Sequence, residues 1–442
     1  MSEKSIVIVG GGWAGLSCAV ELSYVGHTVT LLESARQLGG RARRIAFNEQ
    51  TVDNGQHVLI GAYHETLSLL KRLDVDLTTS LDRNPLDLHM QVINNSHFRL
   101  RLPHLPSPLN LLFGLIGAEG FSIRDRWSAL RFGLRLFTNS ISLDEDISVE
   151  QLLKIHRQTK NTIQALWEPI CLASLNTPIE EASAKIFVRV LHDTFCRSSY
   201  DADLIVPKVD LGTLLPDPAF DFIEQHGGTV QLSQRVVELK IDQRHVTGVV
   251  CDDREYDATH VVLAIPPHAC QPLLKTHPAL HDVAYNLAGF SYHPICTIYL
   301  QFPKTVRPDQ PVQALLNSTG QWIIDRRISG QHGLFAVVIS GPGPHMEMDN
   351  DTLIEKIKSE IRDLYPHWPA PDDAMVIREK RATLNCRTNI NYIRPENKSQ
   401  VHGLWFAGDF TNTGYPATIE GAVQSGINAA KQIHNEVVLN ND

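Results

Sequence analysis

The sequence predicts an α/β fold organised around a Rossmann-type nucleotide-binding domain. Three observations support this prediction. Residues 6–15 read as a buried strand of β-branched residues that runs into a glycine-rich turn and a helix. Residues 27–33 read as a second strand that ends in an acidic residue. Residues 403–430 read as a further buried strand, a loop and a helix rich in small residues.

The first turn has the G-x-G-x-x-G spacing of dinucleotide-binding proteins. Gly10 would allow the tight turn after the strand, Gly12 would let the backbone approach a diphosphate, and Gly15 would let the helix lie close to the strand. The diphosphate would lie at the start of the helix, beside Trp13 and Ala14, where free backbone N–H groups favour negative charge. The alternative is an ordinary βαβ unit that binds no nucleotide.

Glu33 ends the second strand eighteen residues after Gly15, where a ribose-binding carboxylate is expected. A carboxylate at this position would repel a 2′-phosphate, so we expect FAD or NAD rather than NADP. The following turn contains Gly39, Gly40 and Arg41. We interpret this turn as a second contact with the diphosphate, although a basic surface turn would have the same composition.

Residues 51–64 combine an apolar run with polar side chains. Gln56 and His57 lie in a segment otherwise suited to burial, so both should have hydrogen-bond partners. We expect Gln56 to lie beside the cofactor, and we consider His57 as a catalytic residue, with a structural histidine as the alternative. His64 is expected to begin the next helix.

The composition is that of a soluble globular protein of 442 residues, 43% hydrophobic and 20% charged, which we expect to fold as two domains. The net charge of −9 argues against a nucleic-acid partner. Seven scattered cysteines without a C-x-x-C pair predict neither a disulfide framework nor a metal site, and they fit a reducing cytoplasm. The strand that starts at Ile6 leaves no room for a signal peptide, and no apolar run is long enough for a transmembrane helix.

Hydrophobic periodicity predicts the other elements in chain order. Helices are expected over residues 65–73, 124–137, 211–225 and 353–364, with an interrupted helical pattern over 149–195. Pro169 and Pro178 are expected to punctuate that pattern. Strands are expected over residues 229–232, 236–241, 246–251, 258–267 (ended by a proline pair), 295–300, 322–325, 334–340, 375–378 and 404–407.

Residues 105–137 begin proline-rich, continue apolar and then alternate bulky apolar residues with arginines. Two interpretations remain open. The segment is either a core helix with a solvated face or a helical cap whose apolar, arginine-flanked surface rests on a membrane.

Together, residues 10–15, Glu33, residues 39–41 and residues 404–426 make the chain resemble the flavin amine oxidase and phytoene desaturase superfamily. This resemblance implies FAD rather than NAD. It also implies a discontinuous FAD-binding domain and an α+β substrate domain with a helical cap, for which contact with a membrane is one of the two open interpretations. The FAD-binding domain would comprise residues 1–75, 205–270 and 395–442, and the substrate domain would comprise residues 76–204 and 271–394.

The resemblance also implies roles for five further residues. Asp409, preceded by Gly408, would bind the ribitol and diphosphate region of FAD. Thr418 and Ile419 would lie near the pyrimidine side of the flavin ring. The backbone of Val236 would meet the adenine.

A closer similarity is to the bacterial squalene-associated flavoproteins, the hydroxysqualene dehydroxylases. The similar motifs span residues 53–63, 105–109, 167–178, 207–211, 379–383 and 415–421. This similarity implies an enzyme that removes the allylic hydroxyl of hydroxysqualene and delivers hydride from reduced flavin, giving squalene for hopanoid synthesis. It further implies a cytoplasmic protein at the periphery of the inner membrane, with enzymes of the squalene pathway as candidate partners.

Loss of the hydroxyl as water requires an acid, for which His57 and Tyr415 are the candidates because both belong to segments expected to line the flavin. The alternative for Tyr415 is that it only packs on the flavin ring. Two other functions remain open at this point. One is a carotenoid or phytoene-type polyene desaturase, which oxidises its substrate, and the other is a non-catalytic prenyl-binding escort protein of the same fold.

Overall fold

A computed structural model of the chain describes residues 5–92 and 97–439. The strands are β1 (Ile6–Val9), β2 (Val29–Leu32), β3 (Arg44–Phe47), β4 (Gln50–Asp53), β5 (Leu59–Ile60), β6 (Leu81–Asn84), β7 (Asp87–Val92), β8 (His97–Arg101), β9 (Leu204–Pro207), β10 (Thr229–Gln231), β11 (Val236–Asp242), β12 (His245–Cys251), β13 (Glu255–Asp257), β14 (His260–Leu263), β15 (Tyr292–Gln301), β16 (Val312–Leu316), β17 (Trp322–Asp325), β18 (Leu334–Ser340), β19 (Asp373–Leu384) and β20 (Leu404–Phe406).

The helices are α1 (Trp13–Tyr24), α2 (His64–Arg72), α3 (Leu77–Ser80), α4 (Leu109–Ile116), α5 (Ile123–Phe137), α6 (Val149–Ile155), α7 (Lys160–Thr162), α8 (Glu168–Leu175), α9 (Ala184–Phe195), α10 (Leu211–Leu214), α11 (Pro216–Gln225), α12 (Pro267–Leu274), α13 (His281–Ala288), α14 (Asn350–Leu364) and α15 (Ile419–Leu439). A π turn, Ile163–Trp167, lies between α7 and α8.

A parallel sheet of five strands in the order β10-β2-β1-β14-β20 forms the nucleotide-binding half of the fold. Strand β1 lies at its centre, where Ile6 is opposite Val29 on one side and His260 on the other. All four residues of β1 are buried, as expected for a strand of a parallel sheet that is covered on both faces. The strands of this sheet lie within residues 1–75, 205–270 and 395–442, and the division of the chain into two domains stays a prediction.

Helices α1 and α15 lie in direct contact on one face of this sheet. A Cβ atom added to Gly426 of α15 would lie 2.2 Å from the carbonyl oxygen of Ala14 and 2.1 Å from Oγ of Ser17. The small residues of α15 therefore allow the last helix to pack against the first. The chain leaves α1 through Gly26, whose φ of +88° is typical of the residue that follows a helix.

The second large layer is a mostly antiparallel sheet of seven strands in the order β19-β15-β18-β17-β16-β7-β8. Strand β15 pairs with both β18 and β19, which places it inside the sheet. The β3–β4 hairpin packs on this sheet, where Phe47 and Val52 share a cluster with Tyr299 and Ile324.

Four of the expectations differ in the structure. The strand expected over residues 258–267 is shorter, since β14 ends at Leu263 and Pro267 begins α12. The helix expected over residues 211–225 is divided into α10 and α11, since Pro216 starts a new helix after Leu215. Pro169 does not interrupt the helical pattern, because it lies in the first turn of α8, where a missing N–H is tolerated. The strand expected over residues 375–378 extends over the whole of β19, because most of its length pairs with β15.

Helices α4 and α5 lie beyond the end of β8 and pack against each other through buried residues such as Leu111 and Phe132. Their other side exposes large apolar side chains, with Ile123 75% exposed and Trp127 65% exposed. Within residues 5–92 and 97–439, no helix is both long enough and apolar enough to cross a bilayer.

Candidate functional site

A cavity of about 1360 Å³ runs from the carboxyl ends of β1 and β2 to the inner face of the seven-stranded sheet. Pockets for a single drug-sized ligand typically measure about 300–1,000 Å³. The cavity is therefore large enough for a dinucleotide cofactor and a second, bulky ligand.

Nearly all of the residues predicted for the site line this cavity. They are Gly10, Gly12, Trp13, Ala14, Glu33, Gly40, Arg41, Gln56, His57, Val236, Gly408, Asp409, Tyr415, Thr418 and Ile419. Gly15 lies behind the wall instead, where a Cβ atom would be 1.9 Å from the carbonyl oxygen of Gly10. Its role is close packing of α1 on β1 rather than contact with a ligand.

The first turn leaves open space on the side of the cavity. A Cβ atom on Gly12 would meet nothing nearer than the Cα of Gly40, at 4.0 Å. Glu33 borders the same space and is held in place by two backbone N–H groups, since Gly11 N donates to one carboxylate oxygen at 2.6 Å and Ala35 N donates to the other at 2.7 Å. The carboxylate can still accept hydrogen bonds from a ribose, because each oxygen has two lone pairs.

Arg41 connects the second turn to the C-terminal segment. Its Nη2 lies 2.7 Å from Oδ2 of Asp409, and its Nη1 donates to the carbonyl oxygen of Ala382 at 2.9 Å. Asp409 is buried, and Gly408 before it is held by a hydrogen bond from its N–H to Oγ of Ser425. A guanidinium and a carboxylate thus face the middle of the cavity from opposite ends of the chain.

Gln56 is positioned by a buried arginine. Arg326 is 2% exposed and its Nη1 donates to Oε1 of Gln56 at 2.7 Å, while Gln56 donates in turn to the carbonyl oxygen of His57. The carboxylate of Asp53 lies 3.8 Å from Arg326. Burial raises the pKa of Asp53 to about 6, against the opposing effects of the Leu211 N–H and Arg326.

His57 has its Nδ1 atom 2.8 Å from the carbonyl oxygen of Gly55. Since a carbonyl oxygen only accepts, Nδ1 carries the proton and Nε2 of the neutral ring is left as an acceptor. Burial lowers the pKa of His57, which keeps the ring neutral, and the nearby charge of Arg41 acts in the same direction. In this state the ring has no proton to offer through Nε2.

Tyr415 is hydrogen-bonded to a residue that the sequence did not single out. Its hydroxyl lies 2.6 Å from Oδ2 of Asp193, and the Asp193 carboxylate also accepts from Nε of Arg189 at 2.6 Å. Burial and the charge of Asp193 raise the pKa of Tyr415, so the phenol is protonated at neutral pH. Burial alone would raise the pKa of Asp193, but its hydrogen bonds and the charges of Arg189 and Arg197 outweigh burial and hold that pKa below its usual value.

The part of the cavity away from the nucleotide turn is mainly apolar. Its walls come from α8, α9 and the seven-stranded sheet, including strand β7 of that sheet. They include Leu86, Leu88, Leu172, Val190, Ile295, Trp322, Ile324 and Val338. Thr297 of β15 is a polar exception, because its buried hydroxyl has no hydrogen-bond partner among the described residues. A buried hydroxyl of this kind is available to a ligand.

The sequence could have pointed to Asp193 but not to Thr297. Asp193 lies near the end of a predicted helix, with Arg189 four residues before it and Arg197 four residues after it. Residues four apart lie on the same side of a helix, so an acidic residue between two arginines at this spacing indicates a charged cluster. Thr297 has no such signal, because a threonine within a strand is common.

The geometry of the wall fits a flavin dinucleotide. The open space at Gly12 suits a diphosphate, and Glu33 suits a ribose. Arg41 and Asp409 offer charged contacts between this nucleotide part of the cavity and its apolar end. Thr418 and Ile419, where α15 begins, line the wall beyond Asp409. By contrast, no group of three His, Cys, Asp or Glu side chains placed to hold a metal ion occurs within the described ranges.

Comparison with known proteins supports a flavin cofactor. The model of the flavin containing amine oxidoreductase family matches residues 13–434. The chain is 27% identical to the hydroxysqualene dehydroxylase of Rhodopseudomonas palustris, covering 97% of this chain and 98% of that protein. It is 24% identical to the hydroxysqualene dehydroxylase of Zymomonas mobilis, covering 96% and 97%.

A solved structure supports the fold. An oxidoreductase from Methanosarcina mazei matches 97% of this chain and 100% of its own with a TM-score of 0.74, at 16% identity. The predicted fold class, a Rossmann-type FAD-binding fold with mixed α/β content, is confirmed by this likeness together with the family match. The family match extends over both halves of the cavity wall, from Trp13 to the last turns of α15. The chain therefore belongs to the flavin-containing amine oxidoreductase family and is a flavin-dependent oxidoreductase.

Proposed function

We propose that this protein is an FAD-dependent hydroxysqualene dehydroxylase, which reduces hydroxysqualene to squalene in hopanoid biosynthesis. The main support for this proposal is that a single cavity extends from the glycine-rich turn at Gly10 and Gly12 to an apolar compartment whose wall contains the phenol of Tyr415. The similarity over nearly the whole chain to hydroxysqualene dehydroxylases supports the substrate.

FAD would be held by residues from both ends of the chain. The diphosphate would lie against Gly10, Gly12 and the N-terminal end of α1, with Trp13 and Ala14 beside it and Gly40 and Arg41 opposite. Glu33 would bind the adenosine ribose, and the backbone of Val236 would meet the adenine. The remaining contacts would come from Gln56, Gly408, Asp409, Thr418 and Ile419.

When bound and reduced, the flavin supplies the hydride that replaces the hydroxyl of the substrate. The chain's own residues supply the rest. The apolar walls exclude water from a carbon that becomes cationic when the hydroxyl leaves. A protonated side chain in the wall converts the departing hydroxyl to water, an effect typically worth about 10²–10⁴-fold in rate.

Tyr415 is the better of the two candidates for this proton donor. Its phenol is protonated, borders the cavity and can rotate its O–H from Asp193 towards a ligand, whereas the only proton of the neutral His57 ring is fixed on Nδ1 towards Gly55. His57 is then a hydrogen-bond acceptor beside the cofactor. A small effect of His57→Gln on turnover, against a large effect of Tyr415→Phe, is the result expected from this assignment.

We also propose that the protein is cytoplasmic and binds the inner membrane peripherally, because its proposed substrate is stored in the bilayer. The surface in question is the exposed side of α4 and α5, hereafter the α4–α5 surface. Its exposed apolar side chains are Leu109, Phe113, Ile116, Ile123, Trp127, Leu134 and Phe137. Exposed arginines at positions 124, 131 and 135 lie on the same helix as Trp127, which suits a bilayer that contains anionic lipid. Squalene-pathway enzymes are the proposed protein partners.

The test is anaerobic incubation of the flavin-reduced protein with hydroxysqualene, followed by product analysis. Squalene should form, together with one equivalent of oxidised flavin. The same protein with oxidised flavin should leave phytoene unchanged. Desaturated products from phytoene would instead identify a polyene desaturase, and a purified protein without a flavin spectrum would identify a prenyl-binding escort protein.

A further inference from the structure

The side chain of Asp193 lies at the centre of a small charged cluster in the wall of the apolar compartment. Its Oδ2 accepts from the Tyr415 hydroxyl and from Nε of Arg189, both at 2.6 Å. Its Oδ1 lies 3.0 Å from Nε of Arg197 and 3.6 Å from Nδ1 of His192. The Asp193 side chain is 3% exposed, whereas the side chains of Arg189 and Arg197 are 47% and 51% exposed. The carboxylate is therefore shielded from solvent, and the two guanidinium groups lie on its solvent side.

The stability of α9 does not account for this carboxylate. Asp193 lies in the last turn of α9, close to the cap residue Cys196. The helix dipole disfavours a negative charge in the last turn and favours it in the first. A carboxylate that is buried in an unfavourable place is expected to have a function that compensates for its cost.

The charges of the cluster do not cancel. Two guanidinium groups, Arg189 and Arg197, surround the single carboxylate of Asp193, and the Tyr415 phenol is neutral. The guanidinium carbon of Arg189 also lies 5.4 Å from the centre of the Tyr415 ring. One positive charge is therefore left over beside the phenol, and a phenolate formed there would bring the cluster to neutrality.

We propose that Asp193 is the positioning residue that fixes the Tyr415 phenol beside the substrate hydroxyl, and that Arg189 and Arg197 stabilise the phenolate left after proton transfer. This inference rests on the proposed function, and it identifies the residues that position the acid of that reaction and stabilise its conjugate base. Tyr415 is the catalytic residue, because it borders the cavity, and Asp193 acts through it.

The proposed step is balanced in atoms and charge. The Tyr415 hydroxyl turns its proton from Asp193 to the hydroxyl oxygen of the substrate, the O–H bond of Tyr415 breaks, and the proton joins that oxygen. The carbon–oxygen bond then breaks with its electron pair on oxygen, and water leaves. The allylic carbon accepts the hydride of the reduced flavin, and solvent later returns a proton to Tyr415.

The experiment compares holoenzyme carrying Asp193→Asn, Tyr415→Phe or both changes, with Asp203→Asn as the matched control. Asp203 is also a buried carboxylate paired with an arginine, with Nε of Arg83 at 2.7 Å, but its side chain is not part of the cavity wall. Asp193→Asn should lower kcat for hydroxysqualene about 10²-fold with little change in KM. The double variant should be no slower than Tyr415→Phe alone, because Asp193 acts only through the Tyr415 hydroxyl.

A second readout needs no substrate. Removing the negative charge of Asp193 while both arginines remain should lower the pKa of Tyr415. The absorption of the Tyr415 phenolate, taken as the difference between each protein and its Tyr415→Phe counterpart, should therefore appear at lower pH in Asp193→Asn than in wild type. Arg197→Gln should shift the same absorption to higher pH. Since Arg197 is 51% exposed, this variant should fold even where Asp193→Asn does not.

The outcomes separate this inference from the proposed function. A wild-type protein that leaves hydroxysqualene unchanged would overturn the proposed function and, with it, the proposed acid. An active wild type whose kcat is unaffected by Asp193→Asn, or additive losses in the double variant, would overturn only the role of Asp193. Tyrosinate absorption that does not respond to Asp193→Asn or Arg197→Gln would also overturn that role.

Discussion

The Arg41 guanidinium lies 2.7 Å from the Asp409 carboxylate, and this ion pair joins two segments of the cavity wall that come from opposite ends of the chain. Arg41 is also bonded to the backbone of Ala382 in β19. One side chain thus connects the second turn, the C-terminal segment and the edge of the seven-stranded sheet. Its loss should affect the cavity at all three places.

We predict that Arg41→Gln weakens flavin binding about tenfold to a hundredfold, since hydrogen bonds that involve a charged group typically contribute about 1.5–3 kcal/mol. Titration of the apoprotein with FAD, followed by flavin fluorescence, would measure the change. The control is Arg83→Gln, which removes an arginine from an ion pair with Asp203 outside the cavity wall. Equal affinities of Arg41→Gln and the control for FAD would contradict the prediction.

The second and third glycines of the G-x-G-x-x-G turn, Gly12 and Gly15, should respond differently to replacement by alanine. Gly12→Ala places a methyl group in open space, so the apoprotein should fold as wild type while FAD binding is lost. Gly15→Ala places the methyl group 1.9 Å from the carbonyl oxygen of Gly10, so the protein itself should be destabilised. Circular dichroism melting of both apoproteins, combined with FAD titration, would separate the two effects. A normal affinity of Gly12→Ala for FAD would show that the diphosphate lies elsewhere.

The raised pKa of Asp53 predicts a pH-dependent stability. The folded state binds this proton more tightly than the unfolded state, so the contribution to stability is fully present below pH 3.8 and is lost as the pH rises through about 6. The shift corresponds to roughly 3 kcal/mol at neutral pH. We therefore expect the free energy of unfolding to fall between pH 5 and pH 7 by more in wild type than in Asp53→Asn.

Urea unfolding of both proteins at the two pH values would measure this difference. Asparagine can still accept the hydrogen bond from the Leu211 N–H, so the variant keeps that contact. Parallel pH profiles of wild type and Asp53→Asn would show that another group determines the slope.

The α4–α5 surface should bind vesicles that contain anionic lipid. We expect the double variant Phe113→Glu/Trp127→Glu to lose most co-sedimentation, because both side chains are more than half exposed and a charge opposes their insertion into the lipid. Tyr285→Glu is the matched control, since Tyr285 is a large exposed side chain on α13. Undiminished binding by the double variant, or an equal loss in the control, would argue against this surface.

The sequence predicted the nucleotide half of the site because its signals are local. The spacing of Gly10, Gly12 and Gly15, and the position of Glu33 after the second strand, follow from the geometry of one βαβ unit. The structure places these residues around the same turn. The contribution of Asp409 came from a family resemblance, and no local pattern could have brought it to Arg41.

The apolar half could be predicted only in outline, because its contacts depend on tertiary packing. The hydrogen bond between Asp193 and Tyr415 joins a helix to a distant loop, and neither residue type at its own position indicates the other. The local helix signals were also incomplete. Periodicity could not distinguish one helix from α10 and α11, and the π turn before α8 has no simple sequence pattern.

The parallel sheet has a consequence for biosynthesis. Its central strand, β1, is translated first and its edge strand, β20, follows nearly the entire chain. While the nascent chain grows, β14 lacks the neighbour that carries Asp409 to the cavity, and Arg41 lacks its partner. We therefore expect the cofactor to bind only after β20 has joined the sheet, so that a shortage of flavin leaves the unliganded polypeptide exposed to proteases and chaperones.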